Sequence, residues 1–106
     1  MDTARKFESL TRQGKFQEAG DLLADDFTFI SPKKSLDKAG WLIEIPKVYE
    51  EGPTFEAFGP GNNDLQATRK GKKKFAFITV HVKQTMELAE DGKIKSIATA
   101  KAPKGE

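Results

Sequence analysis

Between Thr3 and Gln13 the positions Ala4, Phe7, Leu10 and Thr11 recur at helical spacing, while Arg5, Lys6, Glu8 and Arg12 occupy the intervening places. That spacing predicts a helix with one buried stripe, ended by Gly14. A second helix is expected from about Lys15 to Ala24, with Phe16, Ala19, Leu22 and Leu23 inward and Asp25-Asp26 breaking it. Phe27 to Ile30 alternates as a first strand, and Pro32 forbids its continuation. Ser35 or Asp37 is placed to cap a third helix carrying Trp41, Leu42 and Ile45. Pro46 interrupts that helix, so Lys47 to Glu51 is either a kinked continuation or a new short turn ending at Gly52-Pro53.

Beyond Pro53 the periodicity changes from helical to alternating, with strands expected at Thr54–Phe58, Asp64–Arg69, Lys74–Ala89 and Lys93–Lys101. Glu90-Asp91-Gly92-Lys93 sets an Asp-Gly pair between alternating segments, which signals a hairpin. Lys70-Gly71-Lys72 is expected to form a second one. Helices first and a meandering sheet afterwards imply an α+β fold in which helices cover one face of a curved antiparallel sheet. Residues 1–106 read as a single domain, with no repeat or linker.

Composition narrows the function classes. The 37% hydrophobic content, eight Phe and one Trp are enough for a packed core. Eighteen basic against sixteen acidic residues leave a formal charge of +2, too small for general attraction to nucleic acid or anionic membrane. With no Cys and one His, disulfides, thiolate chemistry and Cys- or His-rich metal sites are ruled out. No Gly-rich phosphate loop, EF-hand or His-Glu-x-x-His motif occurs, and no cofactor is expected. The start Met1-Asp2-Thr3-Ala4-Arg5-Lys6 lacks an apolar leader, and no apolar run approaches a membrane span of ~20 residues. The expected location is cytoplasmic.

Two landmarks carry a resemblance. Leu22-Leu23-Ala24-Asp25-Asp26 runs into Phe27-Thr28-Phe29-Ile30-Ser31-Pro32, and Met86-Glu87-Leu88-Ala89-Glu90-Asp91-Gly92-Lys93-Ile94 forms the last hairpin. Together they resemble the nuclear transport factor 2-like superfamily, which includes ketosteroid isomerases and SnoaL-like polyketide cyclases. The resemblance implies a cone-shaped half-barrel packed against three N-terminal helices, a cystatin-like roll. It also implies places for the isomerase machinery of an Asp base, a Tyr hydroxyl and a protonated Asp. Alignment on the two landmarks puts the tyrosine at Phe7, the base at Ser31 and the protonated acid at Gln84. None has the necessary group, and Gln84 keeps only hydrogen-bonding capacity. The short segment between Ser31 and the third helix leaves little room for an extended hairpin.

On this reading a mostly apolar pocket is lined by Phe7, Phe29, Trp41, Leu42, Val82, Gln84 and Met86, and takes a small hydrophobic molecule. Whether the molecule is also transformed is left open, with Ser31, His81 and Tyr49 as the candidate catalytic groups. If Gln84 faces the pocket, alternation puts Val80, Val82 and Met86 beside it and Thr79, His81, Lys83 and Thr85 on the opposite face. His81 then reaches the pocket only through a β-bulge; otherwise it belongs to the outer sheet face, where the superfamily often dimerises. A homodimer or interaction module with a filled cone is the rival reading. Tyr49 and Trp41 are equally explained as core aromatics with a polar tip, and Asp25-Asp26 as a helix end. The run Arg69-Lys70-Gly71-Lys72-Lys73-Lys74 beside Phe75 and Phe77 reads as solvated lysines guarding a hairpin tip rather than as a nucleic-acid platform.

Overall fold

The computed structural model describes residues 2–75 and 77–102. Three helices, α1 (Asp2–Arg12), α2 (Phe16–Gly20) and α3 (Lys38–Glu50), accompany strands β1 (Leu23–Ile30), β2 (Ser35–Asp37), β3 (Thr54–Phe55), β4 (Gly59–Pro60), β5 (Gln66–Phe75), β6 (Ile78–Leu88) and β7 (Ile94–Lys101). The strands form one curved sheet in the order β2-β1-β7-β6-β5-β3, with β4 on β5. All pairs are antiparallel except β1 with β7. The α+β architecture expected from the change of periodicity is the one observed.

The helices close the sheet's concave face. Ala4, Phe7 and Thr11 are the buried stripe of α1, and the Thr11 hydroxyl is satisfied within the helix by donating to the Phe7 carbonyl at 3.0 Å. Asp37 caps α3, its Oδ1 accepting from the Gly40 N–H at 2.8 Å. Pro46 lies inside α3 without ending it. Trp41, Ile45 and Tyr49, four residues apart, keep one face packed across the proline. Trp41 sits 5.6 Å from Phe7 and 6.4 Å from Phe27, ring centre to ring centre. These contacts, with Leu23, Met86, Ile94 and Ile97, form the closed core.

Several boundaries differ from expectation: β3 covers only Thr54–Phe55 of the expected Thr54–Phe58, the expected strand Lys74–Ala89 is divided between the end of β5 and β6 (Ile78–Leu88), and two further differences have a clear physical cause. The second helix stops at Gly20, four residues before Ala24. Leu22 and Leu23 do turn inward, but the Ile94 N–H donates to the Leu22 carbonyl at 2.8 Å and Leu23 pairs with Ile94. Ladder pairing outweighs the small per-residue helix preference of leucine. The register with β7 then slips between Leu23 and Thr28, leaving Asp25 and Asp26 exposed on a bulged segment.

The second difference is at Gly71. No hairpin forms at Lys70-Gly71-Lys72; β5 continues through it in unbroken register from Gln66↔Glu87 to Phe75↔Ile78. β5 ends at Phe75, which pairs with Ile78 at the start of β6. A Cβ on Gly71 would stand 2.3 Å from Cδ1 of Phe55, so the glycine serves close approach rather than a turn. At the other hairpin the expectation holds, with Gly92 at φ 87° and the Lys93 N–H donating to Asp91 Oδ1 at 2.9 Å.

Candidate functional site

Strand alternation sorts the basic run by face. Ala67, Arg69, Gly71 and Lys73 point into the cone, opposite Met86, Gln84, Val82 and Val80 on β6. Lys70, Lys72 and Lys74 point outward, and Lys73 pairs with Glu51. Arg69 is only 6% exposed. Its Nε donates to Gln84 Oε1 at 2.8 Å, its Nη2 donates to the Tyr49 hydroxyl at 3.3 Å, and Gln84 Nε2 donates to Thr99 Oγ1 at 3.1 Å. The guanidinium carbon lies 4.1 Å from the Phe55 ring centre and 4.4 Å from that of Phe58. Burial pulls the Arg69 pKa below the usual guanidinium value, opposed by Tyr49 and then Glu8. The group nonetheless stays charged at any physiological pH.

Beside this network α3 stands off the sheet and leaves a cavity of about 220 Å³. Its walls are Phe29 from β1, Ile45, Val48 and Tyr49 from α3, Pro53 and Phe55 after it, Lys72 and Lys73 from β5, Val80, Val82 and Gln84 from β6, and Thr99 from β7. The surface is predominantly apolar, with Tyr49, Gln84 and Thr99 as the polar groups that bind one another or Arg69. A larger depression of about 650 Å³ over Asn63, Asp64, Leu65 and Lys95 is more open to solvent and more polar.

No family model and no curated protein matches this sequence. Solved structures do match. An NTF2-like protein of unknown function from Cytophaga hutchinsonii superposes with a TM-score of 0.75 at 16% identity, over 96% of this chain and 88% of the other. A steroid delta-isomerase from Pseudomonas aeruginosa gives 0.80 at 14%, over 97% and 79%. A second NTF2-like protein of unknown function, from an Exiguobacterium species, gives 0.64 at 18%, over 95% and 96%. This chain has the NTF2-like fold. At these identities the likeness is one of architecture, and it agrees with the three-helix, curved-sheet arrangement that the sequence landmarks imply.

Within the NTF2-like cone three of the expected lining residues, Phe29, Val82 and Gln84, meet at the cavity, joined there by Tyr49, which was expected as a candidate catalytic group. Phe7, Trp41 and Met86 do not; they are fully buried in the core, with no cavity surface. Leu42 lies against Gly20 of α2, where it closes the seam between two helices. Ser31 is occupied in the β1–β2 turn, its hydroxyl donating to the Lys34 carbonyl at 2.9 Å and accepting from the Lys34 N–H at 3.3 Å. That hairpin is short, as expected, pairing only Ser35–Asp37 with β1.

His81 faces outward beside Lys70 and Lys72, because the β5–β6 register has no bulge to turn it inward. β7 lies between β1, which ends next to Ser31, and β6, which carries His81, and this separates the two residues by roughly 10 Å or more. They form no nucleophile–base pair. Arg69 is the residue that sequence reasoning misplaced. The signal was its phase with Ala67, legible once the strand is drawn through Gly71 rather than ended there.

Proposed function

We propose that this protein binds a small, mostly apolar molecule in the cavity between α3 and the sheet. The observation that carries the reading is an apolar space of about 220 Å³ whose polar groups, Tyr49 and Gln84, are held in fixed positions by Arg69. An apolar cavity of about 150 Å³ takes up benzene, and most ligand sites run ~300–1,000 Å³. The volume suits one ring with a short substituent, not a four-ring steroid. Isomerase-type proton abstraction is not part of the proposal. Phe7 is a core side chain, Ser31 is held in its turn, and Gln84 is committed to Arg69 and Thr99. The cysteine-free composition suits a reducing compartment, and the cytoplasm is the proposed location.

Toluene, titrated into the isotopically labelled protein, tests the reading. The expected result is saturable amide shifts centred on Val82, Gln84 and Tyr49, lost in Val82→Phe, which fills the space, with little change in Tm. Equal toluene shifts in Val82→Phe, or none in the parent, would refute it.

A homodimer through the outer sheet face is the second reading. Its support is the row Ile30, Ala98, Thr85, Thr68, one outward residue from each of four adjacent strands and none charged. Sedimentation equilibrium on the parent and on Thr85→Arg decides it. A dimer that the substitution converts to monomer is the expected outcome, and a monomeric parent overturns it.

A further inference from the structure

The cone holds a charge that its apolar cavity does not use. A guanidinium carries five N–H donors, and Arg69 commits one through Nε to Gln84 and one through Nη2 to Tyr49. No carboxylate stands within ion-pair distance of it among the described residues. Glu8, the acid that acts on it electrostatically, is engaged elsewhere, 3.2 Å from Arg12 Nη2 and accepting the Phe58 N–H at 2.9 Å. Removing a cation from water without a counter-ion is costly.

Among the described residues the remaining Arg69 donors meet no acceptor, yet no buried side-chain nitrogen there is sealed away unsatisfied. Arg69 is also a wall of a cleft of about 430 Å³, together with Arg12, Tyr49, Pro53, Thr54 and Phe55. Two guanidinium groups thus share one cleft. Arg12, largely exposed, sits at the rim and reaches the Phe55 carbonyl only at 3.5 Å.

We propose that this cleft is a binding site for a small organic carboxylate, gripped by the free edge of Arg69 and closed over by Arg12. The choice of a planar anion follows from the rings. The guanidinium carbon stands over the faces of both Phe55 and Phe58, within 4.4 Å of each ring centre, which leaves the edge of the guanidinium as the approach. A carboxylate enters at that edge, in the guanidinium plane, and takes two parallel hydrogen bonds. The out-of-plane oxygens of sulfate or phosphate would meet the negative faces of the rings. The site is separate from the apolar cavity, from which Tyr49 and Phe55 divide it. Either reading can fail without the other.

The test follows the side-chain Nε–Hε resonance of Arg69 in the full chain while benzoate, sulfate and phosphate are added at matched ionic strength. The expected result is a saturable benzoate shift, with sulfate and phosphate at least about tenfold weaker. Arg12→Ala, at an exposed position with no role in the core, should raise the benzoate Kd about tenfold. Arg69→Lys, which keeps the charge and removes the planar fork, should abolish the preference for benzoate. Absence of saturation at concentrations on the order of 10 mM, an unchanged Kd in Arg12→Ala, or sulfate binding as tightly as benzoate would each overturn the proposal.

Discussion

Gly71 and Arg69, two residues apart on the inner face of β5, are coupled through the Phe55 ring, which lies against one and over the other. A methyl group at position 71 needs the space 2.3 Å from Phe55 Cδ1, so the ring must leave. Gly71→Ala is expected to lower stability by about 1–3 kcal/mol, the usual cost of overpacking, measured by urea unfolding. A neutral result would mean that Phe55 has a second seat. Gln84 offers a polar counterpart: Gln84→Leu removes the acceptor of Arg69 Nε and the donor to Thr99. Stranding the partners of a buried amide should cost about 1–3 kcal/mol in the same assay. Unchanged stability would show that water replaces the amide.

At the level of elements, α3 carries both a well-made start and a flawed interior. Asp37→Ala removes the side-chain acceptor of the Gly40 N–H and should cost about 1 kcal/mol of thermal or chemical stability. Pro46 denies the Leu42 carbonyl its usual helical donor, and an interior proline costs about 3 kcal/mol. Pro46→Ala is expected to raise Tm, since Trp41, Ile45 and Tyr49 already hold the packed face; a fall would show that the proline sets the stand-off of α3 from the sheet. The cap at Asp37 and the turn at Gly92 were legible in sequence because a local hydrogen bond or a single backbone angle decides each. The end of α2 and the length of β5 were not. Leu22 and Leu23 fit a helix stripe and a buried strand equally well, and only the distant Ile94 chooses between them. Gly71 reads as punctuation until Phe55 is known to lie on it. The cavity was half legible for a related reason. Periodicity identifies which residues face inward, as it did for Phe29, Val82 and Gln84, but it cannot tell an inward residue beside a void from one in contact on all sides, such as Phe7 or Met86.

Across the whole molecule the sheet is closed by residues far apart in the chain, since β1 lies beside β7. The amides of β7, flanked by β1 and β6, should exchange with solvent only through global unfolding, while those of the short edge pieces β2 and β3 exchange by local opening. Hydrogen exchange followed by NMR checks this ordering, and equal protection in β3 and β7 would contradict it. Because such pairing is non-local, folding is expected on the millisecond-to-second scale, measurable by stopped flow. The same closure supplies its own optical reporter. Trp41 is the only tryptophan, 1% exposed and packed between Phe7 of α1 and Phe27 of β1. Its emission therefore tracks the seating of the helical layer on the sheet without any attached dye. Since it lines neither the apolar cavity nor the arginine cleft, a compound can fill either hollow without touching the fluorophore, and a ligand-induced rise in melting temperature can be followed without direct quenching.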